Sequence, residues 1–387
     1  MRRLIVLITA ATLCGLAASA QEVSSASGNE FEVSAVARFD VNPYFPLKEG
    51  SGSDFTFGNT SIYTFIDGSF GNGWFYSFSN HWLGVDWYKT TGEGDTVTPL
   101  YSNTWHSDAN DWIDWALLGY SLESDRSGTW EFSIGKDMMA IGLTELEDND
   151  VDCHYDLSSW YWNNYAYAVG DFGGESTQGS FYQWGASAAW TSASESSSLK
   201  FQFASSPFSV HPFNDFRKSL SLLWTEEHGC WRGMLSANAM ESYKHPEDIG
   251  AGAGTGSSWW RCIALGERFT FGNLSFCLDG MLRSLDWNSN ENQALVTLKA
   301  QYDFGEKVSL FAKAGYEALS FSPKDGIDPE TVAFGGIGVH CYPLRNSRAL
   351  RIHAVAAASD GLYYAPDQFS LNIGVTYSLD FIKLFGK

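Results

Sequence analysis

The densest negative charge of the chain lies in residues 138–179, beside its densest group of Trp and Tyr side chains. This stretch contains no Lys or Arg. Its eight acids are Glu145, Glu147, Asp148, Asp150, Asp152, Asp156, Asp171 and Glu175. Carboxylates in such a row could line a path for ions, bind a divalent cation, or stay solvated on a surface loop.

Calcium binding is the most specific of these alternatives. Asp148, Asp150 and Asp152 have the D-x-D-x-D spacing with which calcium-binding loops begin. The Gly expected next and the bidentate Glu expected later are missing, so we do not expect an EF-hand-like site. A metal site of another type stays open. The sequence also has no C-x-x-C pair and no Gly-rich phosphate loop, and we expect no cofactor.

The elements around the acidic stretch alternate apolar and polar residues. In the C-terminal segment 369–381, FSLNIGVTYSLDF, the apolar residues Phe369 to Phe381 occupy every second position over thirteen residues. A strand of this length can cross a bilayer when it is tilted. Strands of soluble sheets usually have about five or six residues.

About sixteen such segments follow one another along the chain. They begin near residues 30, 56, 73, 112, 129, 180, 197, 215, 229, 257, 273, 293, 306, 332, 348 and 369. Short and long connections alternate between them, as in outer-membrane barrels, which have short periplasmic turns and longer external loops. A secreted β-sandwich, the alternative fold, has no reason to keep one end short.

The sequence therefore predicts an all-β fold, a transmembrane antiparallel β-barrel of about 16 strands. Its third external loop, residues 138–179, is the longest and is predicted to fold inward. Lys136 and Arg268 break the pattern, since both are predicted on the lipid-facing side. Aromatic residues near the strand ends are predicted to form interfacial girdles: Trp74, Trp130, Trp224, Trp259, Trp260, Trp287, Tyr302 and Phe304.

Residues 1–20 have the pattern of a cleaved signal peptide. Arg2 and Arg3 precede an apolar run, and Ala18-Ser19-Ala20 forms an A-x-A cleavage site. Residues 21–387 would then form the barrel, located in the outer membrane and in contact with its lipid. The formal net charge of -21 argues against a nucleic-acid partner, which requires basic surface.

The run FSIGKDMMAIGLTE, followed by an acid-rich loop and SSWYWNN, resembles outer-membrane porins of Gram-negative anaerobes related to the phosphate-selective porin O/P-type family. The matching positions are Gly135, Lys136, Gly142 and Glu145. The resemblance implies a sixteen-stranded diffusion channel, often a homotrimer, whose third loop narrows the pore. It does not imply phosphate selectivity, because the anion-binding cluster of that subfamily depends on positive charge and this loop has none.

Four basic residues are predicted on the lumen faces of the later strands: Arg283, Lys299, Lys313 and Arg351. A charge on the lipid face would cost about 2–4 kcal/mol at the bilayer midplane, which favours the inward orientation. If the third loop folds in, its acids Glu145, Glu147, Asp148, Asp150, Asp152 and Asp156 would face this basic wall. Opposed rows of charge set ion preference in channels.

The predicted function is passive diffusion of small hydrophilic or ionic solutes, without enzymatic activity. A hydrolase housed in a barrel is one alternative, with His106, Asp108 and Asp111 of the second loop as its candidate residues. No nucleophile accompanies them, and G-x-S-x-G and H-E-x-x-H motifs are missing. A surface protein whose barrel displays binding loops is the other alternative.

Overall fold

The computed structural model describes eleven stretches of the chain: residues 30–47, 54–56, 60–91, 97–104, 113–148, 182–206, 217–243, 257–285, 291–320, 330–359 and 368–381. The predicted signal peptide lies outside these residues. The described part has no helix long and apolar enough to cross a membrane. The α-helix in this part, α1, is short and spans the five residues Thr144–Asp148.

Antiparallel strands make up nearly all of the described structure. They are β1 (Glu30–Pro46), β2 (Asp54–Thr56), β3 (Ser61–Gly71), β4 (Trp74–Thr91), β5 (Val97–Thr104), β6 (Ile113–Ser124), β7 (Gly128–Met138), β8 (Tyr182–Thr191), β9 (Ser197–Ser205), β10 (Lys218–His228), β11 (Trp231–Tyr243), β12 (Ser257–Phe271), β13 (Leu274–Leu285), β14 (Glu291–Phe304), β15 (Val308–Ser320), β16 (Glu330–Cys341), β17 (Leu350–Ser359) and β18 (Gln368–Asp380).

The strands form a closed sixteen-stranded barrel, which confirms the predicted fold class. Each barrel strand pairs with its neighbours in sequence, and β1 pairs with β18 to close the cylinder. Two strands were not predicted and lie outside this count. β2 adds three residues beside the end of β1, and β5 pairs with the outer half of β4, from Gly84 to Thr91.

Tight turns collect at one end of the barrel, as the alternating connection lengths predict. The β3–β4 turn is Asn72-Gly73, and both residues have positive φ, 52° and 86°. Asn and Gly tolerate this backbone region, which gives a two-residue hairpin the twist of its strands. In outer-membrane barrels the end with the short turns faces the periplasm.

The two faces of the strands differ as the alternation predicts. Large apolar side chains cover the outside, and Ile134, Leu282 and Ile337 are 63%, 64% and 65% exposed. Ser, Thr, Asn and charged side chains alternate with them and face the lumen. In lipid the outer row is in contact with hydrocarbon, while the backbone of the barrel strands is hydrogen-bonded to neighbouring strands.

Three side chains correct or refine the predicted pattern. Arg268 is not on the lipid side, because it shares the lumen face of β12 and its Nε lies 3.4 Å from Sγ of Cys277. Trp260 is not in a girdle but is buried on that same inner face. Lys136 is also buried, and its ammonium donates to the carbonyl of Ile113 at 2.5 Å.

Candidate functional site

After β7 the chain turns into the barrel. Residues Met139–Asp148, the inward segment, have no regular secondary structure as far as Leu143 and end in α1. Every residue from Met139 to Leu146 is buried. The segment contacts lumen-facing side chains of β9, β11, β13 and β15, which places it against the inner wall.

Lumen side chains replace the strand partners that the backbone of the inward segment lacks. Gln202 of β9 accepts from the N–H of Ala140 at 3.1 Å and donates to the carbonyl of Met138 at 3.0 Å. From β11, Asn238 donates to the carbonyl of Ala140 at 2.8 Å. The hydroxyl of Ser236 accepts from the N–H of Gly142 at 2.9 Å. Because buried backbone groups require partners, these side chains fix the path of the segment.

Asp279 of β13 anchors the start of α1. Its Oδ1 accepts from the N–H of Thr144 at 2.6 Å. Its Oδ2 accepts from the hydroxyl of Thr144 at 2.9 Å and from the N–H of Glu145 at 2.8 Å. A carboxylate in this position satisfies N–H groups that have no partner within the helix. Asp279 therefore binds the segment through three hydrogen bonds.

A buried ion pair links the same segment to the next part of the wall. Nζ of Lys313, on β15, lies 2.8 Å from Oε1 of Glu145, and only 10% and 3% of the two side chains are exposed. Lys313, one of the four predicted basic residues, is thereby joined to an acid of the third loop. The pair and the Asp279 bonds act on adjacent residues of the segment.

Apolar packing completes the attachment. The lumen faces of β11 to β14 carry an apolar patch, which is unusual for a wall that faces water. Four side chains of the inward segment cover it: Met139, Ile141, Leu143 and Leu146. The patch consists of Met240, Trp260, Cys262, Ala264, Met281 and Leu295. Burial of this area favours the inward path by about 25 cal/mol for each Å² of apolar surface removed from water.

Two glycines allow the segment to approach the wall this closely. A Cβ on Gly142 would lie 3.1 Å from the backbone N of Ser236. A Cβ on Gly266, in β12, would lie 2.8 Å from the backbone N of Thr144 and 3.0 Å from Oδ1 of Asp279. Contacts that short force something to move, so both sites favour Gly.

The other three predicted basic residues also lie on lumen faces, where they contact rings or a hydroxyl. The guanidinium carbon of Arg283 is 4.2 Å from the ring centroid of Trp260, and Nζ of Lys299 is 5.8 Å from that of Phe311. Nη2 of Arg351 donates to Oγ1 of Thr376 at 3.0 Å. These contacts hold the cations against the wall.

Most of the predicted acids lie outside the part of the chain whose side chains the structure describes. Glu147 and Asp148 belong to α1, and their side chains are not described. The other named acids, Asp150, Asp152 and Asp156, lie outside the described residues, as do the second-loop residues His106, Asp108 and Asp111. Within the described ranges no group of three or more His, Cys, Asp or Glu side chains could hold a metal ion.

The sequence did not single out the anchoring side chains. Every lumen-facing residue occupies an alternate position of its strand, and this is equally true of Gln202, Ser236, Asn238 and Asp279. Asp279 lies on the polar face of its strand, but nothing in that strand marks it as a partner of residues about 135 positions earlier. One sequence feature could have indicated where the segment packs: apolar residues, such as Met240 and Cys262, on strand faces that the alternation predicts to be polar.

Comparison with known structures supports the architecture. OmpT, an outer membrane protein of Vibrio cholerae, in its in-vitro folded trimer form, has a TM-score of 0.57 at 12% identity over 91% of this chain and 100% of that chain. The anion-selective porin from Comamonas acidovorans has a TM-score of 0.60 at 14% identity, over 90% and 100%. The outer membrane channel DcaP of Acinetobacter baumannii has a TM-score of 0.53 at 11% identity, over 91% and 98%.

These identities are low, so the likeness concerns the fold, which is that of outer-membrane porins and channels. No family model matches the chain, and no curated protein is similar to it at a significant level.

Proposed function

We propose that this chain is an outer-membrane porin, a passive diffusion channel for small hydrophilic or ionic solutes. A closed barrel with an apolar exterior and a polar interior supports it, because this arrangement suits a strand-lined path through lipid. Neighbours of the same fold that are described as porins or channels add to the support. No reaction is assigned to the chain.

The observation that carries the proposal is the inward segment. A barrel that only displayed external loops would have a lumen filled by its third loop, whereas the described part of this loop lies along the inner wall. Here hydrogen bonds, an ion pair and apolar packing all hold Met139 to Leu146 against the inner wall. A segment fixed in this way narrows the bore of the barrel, and its position influences which solutes pass.

Charge beside the segment provides the selectivity. Glu145 adds a carboxylate inside the barrel, and Lys299 lies on the lumen face directly opposite Lys313 in the β14–β15 register. One acid–base pair, Glu145 with Lys313, supports the opposed charges that the sequence predicts. We propose that the acids at 147–156 extend this arrangement toward the wall formed by Arg283 and Arg351. Opposed charges of this type act on ions and orient polar solutes.

Three further properties belong to the proposal. Residues 1–20 are removed as a signal peptide during export, and the mature barrel then lies in the outer membrane. A homotrimer is the proposed assembly, in keeping with the trimer form of OmpT. Relationship to the phosphate-selective porin O/P-type family is proposed from the motif at Gly135, Lys136, Gly142 and Glu145, without phosphate selectivity.

Purified mature protein in liposomes and planar bilayers tests the proposal. We expect stepwise conductance increases in bilayers, and swelling of liposomes in isotonic solutions of small sugars but not of large dextrans. The matched control is the same preparation after heat denaturation, with folding verified by its heat-modifiable migration in gels. Folded protein that gives neither conductance nor swelling above this control would contradict a channel function.

A further inference from the structure

The seam between the first and last strands is the one junction of the barrel that no connecting segment holds together. All other barrel neighbours follow each other in sequence, and a turn or loop joins them. Turn type and loop length fix the register of a hairpin. β1 and β18 have no such connection, so side chains must select the register in which they pair.

The lipid-facing side chains of the seam discriminate little between alternative registers. Phe39 of β1 and Val375 and Tyr377 of β18 are exposed apolar residues that face lipid. A slip of one residue would turn every apolar side chain inward and is excluded by the alternation. A slip of two residues keeps apolar side chains outside and polar ones inside. The lumen face must therefore distinguish the observed register from this alternative.

A buried charged cluster, the seam cluster, lies on that lumen face. It consists of Arg38 and Asp40 of β1, His353 of β17 and Asn372 of β18. Oδ2 of Asp40 accepts from Nε of Arg38 at 3.0 Å and from Nδ2 of Asn372 at 2.8 Å. Oδ1 of Asp40 lies 3.3 Å from Nε2 of His353. Asp40 thus contacts all three strands of the seam.

Gly374 makes the contact between Asp40 and His353 possible. It lies directly opposite Asp40 in the β1–β18 register and directly opposite His353 in the β17–β18 register. A Cβ at Gly374 would lie 2.1 Å from Oδ1 of Asp40 and 2.7 Å from Nε2 of His353. The carboxylate therefore reaches across β18 only where that strand has no side chain.

A slip of two residues would destroy this arrangement. Asp40 would then lie opposite Thr376 or Asn372, whose side chains occupy the space that Gly374 leaves free. Asp40 is completely buried, and a buried carboxylate separated from its partners is strongly unfavourable.

We infer that the seam cluster sets the register in which the barrel closes. The cluster acts at the last step of assembly, when β1 meets β18, and it selects one register among those that the lipid-facing residues would accept equally. Single buried polar contacts specify register in other packed structures, where they add more to specificity than to stability. This role does not depend on whether the barrel conducts.

Disulfide trapping across the seam measures the register directly. In a background whose native cysteines are replaced by Ala, the pair Ala37→Cys/Tyr377→Cys reports the observed register, because these residues are directly opposite. The pairs Ala37→Cys/Val375→Cys and Ala37→Cys/Leu379→Cys report slips of two residues. Such diagonal positions are about 7–8 Å apart, beyond the usual reach of a disulfide. The protein is refolded from urea into detergent micelles before oxidation.

With the native cluster we expect cross-linking of the 37–377 pair alone. Asp40→Ala and the double variant Arg38→Met/Asp40→Leu should form the slipped cross-links as well. The double variant is decisive, because it removes both members of the ion pair and leaves no uncompensated charge between them. Asp67→Asn is the matched control. Its carboxylate also faces the lumen and accepts from Ser77, but it lies in the β3–β4 hairpin, whose turn sets the register.

Three results would overturn the inference. Unchanged cross-linking of the 37–377 pair alone in the double variant would show that other contacts select the register. Absence of any closed barrel in both Asp40 variants would show that the cluster is required for stability rather than for register. Slipped cross-links in Asp67→Asn would point to a general effect of lumen charge and would also contradict the inference.

Discussion

Nζ of Lys313 lies 2.8 Å from Oε1 of Glu145, and this contact joins the inward segment to strand β15. Glu145 is near the end of the buried part of the segment, directly after Thr144, which Asp279 holds. The ion pair and the Asp279 bonds therefore fix the same turn of chain from two neighbouring parts of the wall. The predictions below follow from this arrangement.

Glu145→Gln should shift ion preference toward anions. The substitution removes a negative charge inside the lumen and leaves the ammonium of Lys313 without its partner. Loss of one member of a buried ion pair typically costs about 3–5 kcal/mol, enough to loosen a short segment. The reversal potential in a KCl gradient measures the shift. The charge exchange Glu145→Lys/Lys313→Glu keeps the net charge and should return the reversal potential toward the wild-type value. Equal potentials for Glu145→Gln and wild type would count against the pair as a selectivity element.

Asp279→Asn should release the inward segment while the barrel stays folded. An amide cannot accept from all three donors, because in either orientation its NH2 group would face a backbone N–H. Hydrogen bonds to a charged group contribute about 1.5–3 kcal/mol each. Hydrogen exchange followed by mass spectrometry should show faster exchange in residues 139–146. Thr144→Val removes only the hydroxyl donor and should have a smaller effect.

Asp303→Asn is the matched control for that experiment. Asp303 also has a carboxylate on the lumen side of β14, but its contacts are Gln301 and Arg348, near the short-turn end. Exchange of the inward segment should be unchanged in this variant. Equal protection in Asp279→Asn and wild type would mean that the other contacts hold the segment without Asp279.

Gly266→Ala should disturb the pore, whereas Gly280→Ala should not. A methyl group at 266 would lie 2.8 Å from the backbone N of Thr144, so it would push the start of α1 away from the wall. A methyl group at 280 would meet only the carbonyl oxygen of Leu295 at 3.9 Å. Single-channel recordings should show more current noise for Gly266→Ala, because the segment is less firmly held. Identical recordings for the two variants would contradict the close approach at Gly266.

Leu298→Arg should destabilise the barrel in lipid more than Gln301→Arg. Leu298 is 53% exposed on the outer face of β14, while Gln301 is on the lumen face of the same strand. An arginine on the lipid side costs about 2–4 kcal/mol near the midplane, and lumen positions do not carry this cost. Urea unfolding in lipid vesicles gives the difference in unfolding free energy. Equal unfolding free energies for the two variants would mean that Leu298 does not face lipid.

The barrel itself could be predicted from the sequence because its two-residue period repeats in every strand. The predicted starts agree with the observed strands to within a few residues, for example 30, 113, 197 and 257 beside predicted 30, 112, 197 and 257. β2 and β5 were missed, since they extend loops and have no lipid-facing period. Arg268 was assigned to the wrong face because polar and apolar residues follow each other irregularly near that end of β12.

Contacts across the lumen could not be predicted, for a different physical reason. Alternation states which face a side chain occupies but not which residue it meets across the barrel. Lys313 was predicted to face the lumen, yet its pairing with Glu145 rather than with another acid depends on the path of the inward segment. Asn372 and Asp40 are 332 positions apart, and only closure of the barrel brings them together.

Single-channel conductance of the wild type beside the double variant Asp279→Asn/Lys313→Met tests the central claim most directly. The double variant removes both polar attachments of the turn at Thr144 and Glu145, and its folding is verified by heat-modifiable migration. If the inward segment narrows a conducting pore, wild type conducts in discrete steps and the double variant gives larger, noisier steps. Steps of the same size and noise in both, from equally folded protein, would contradict the account.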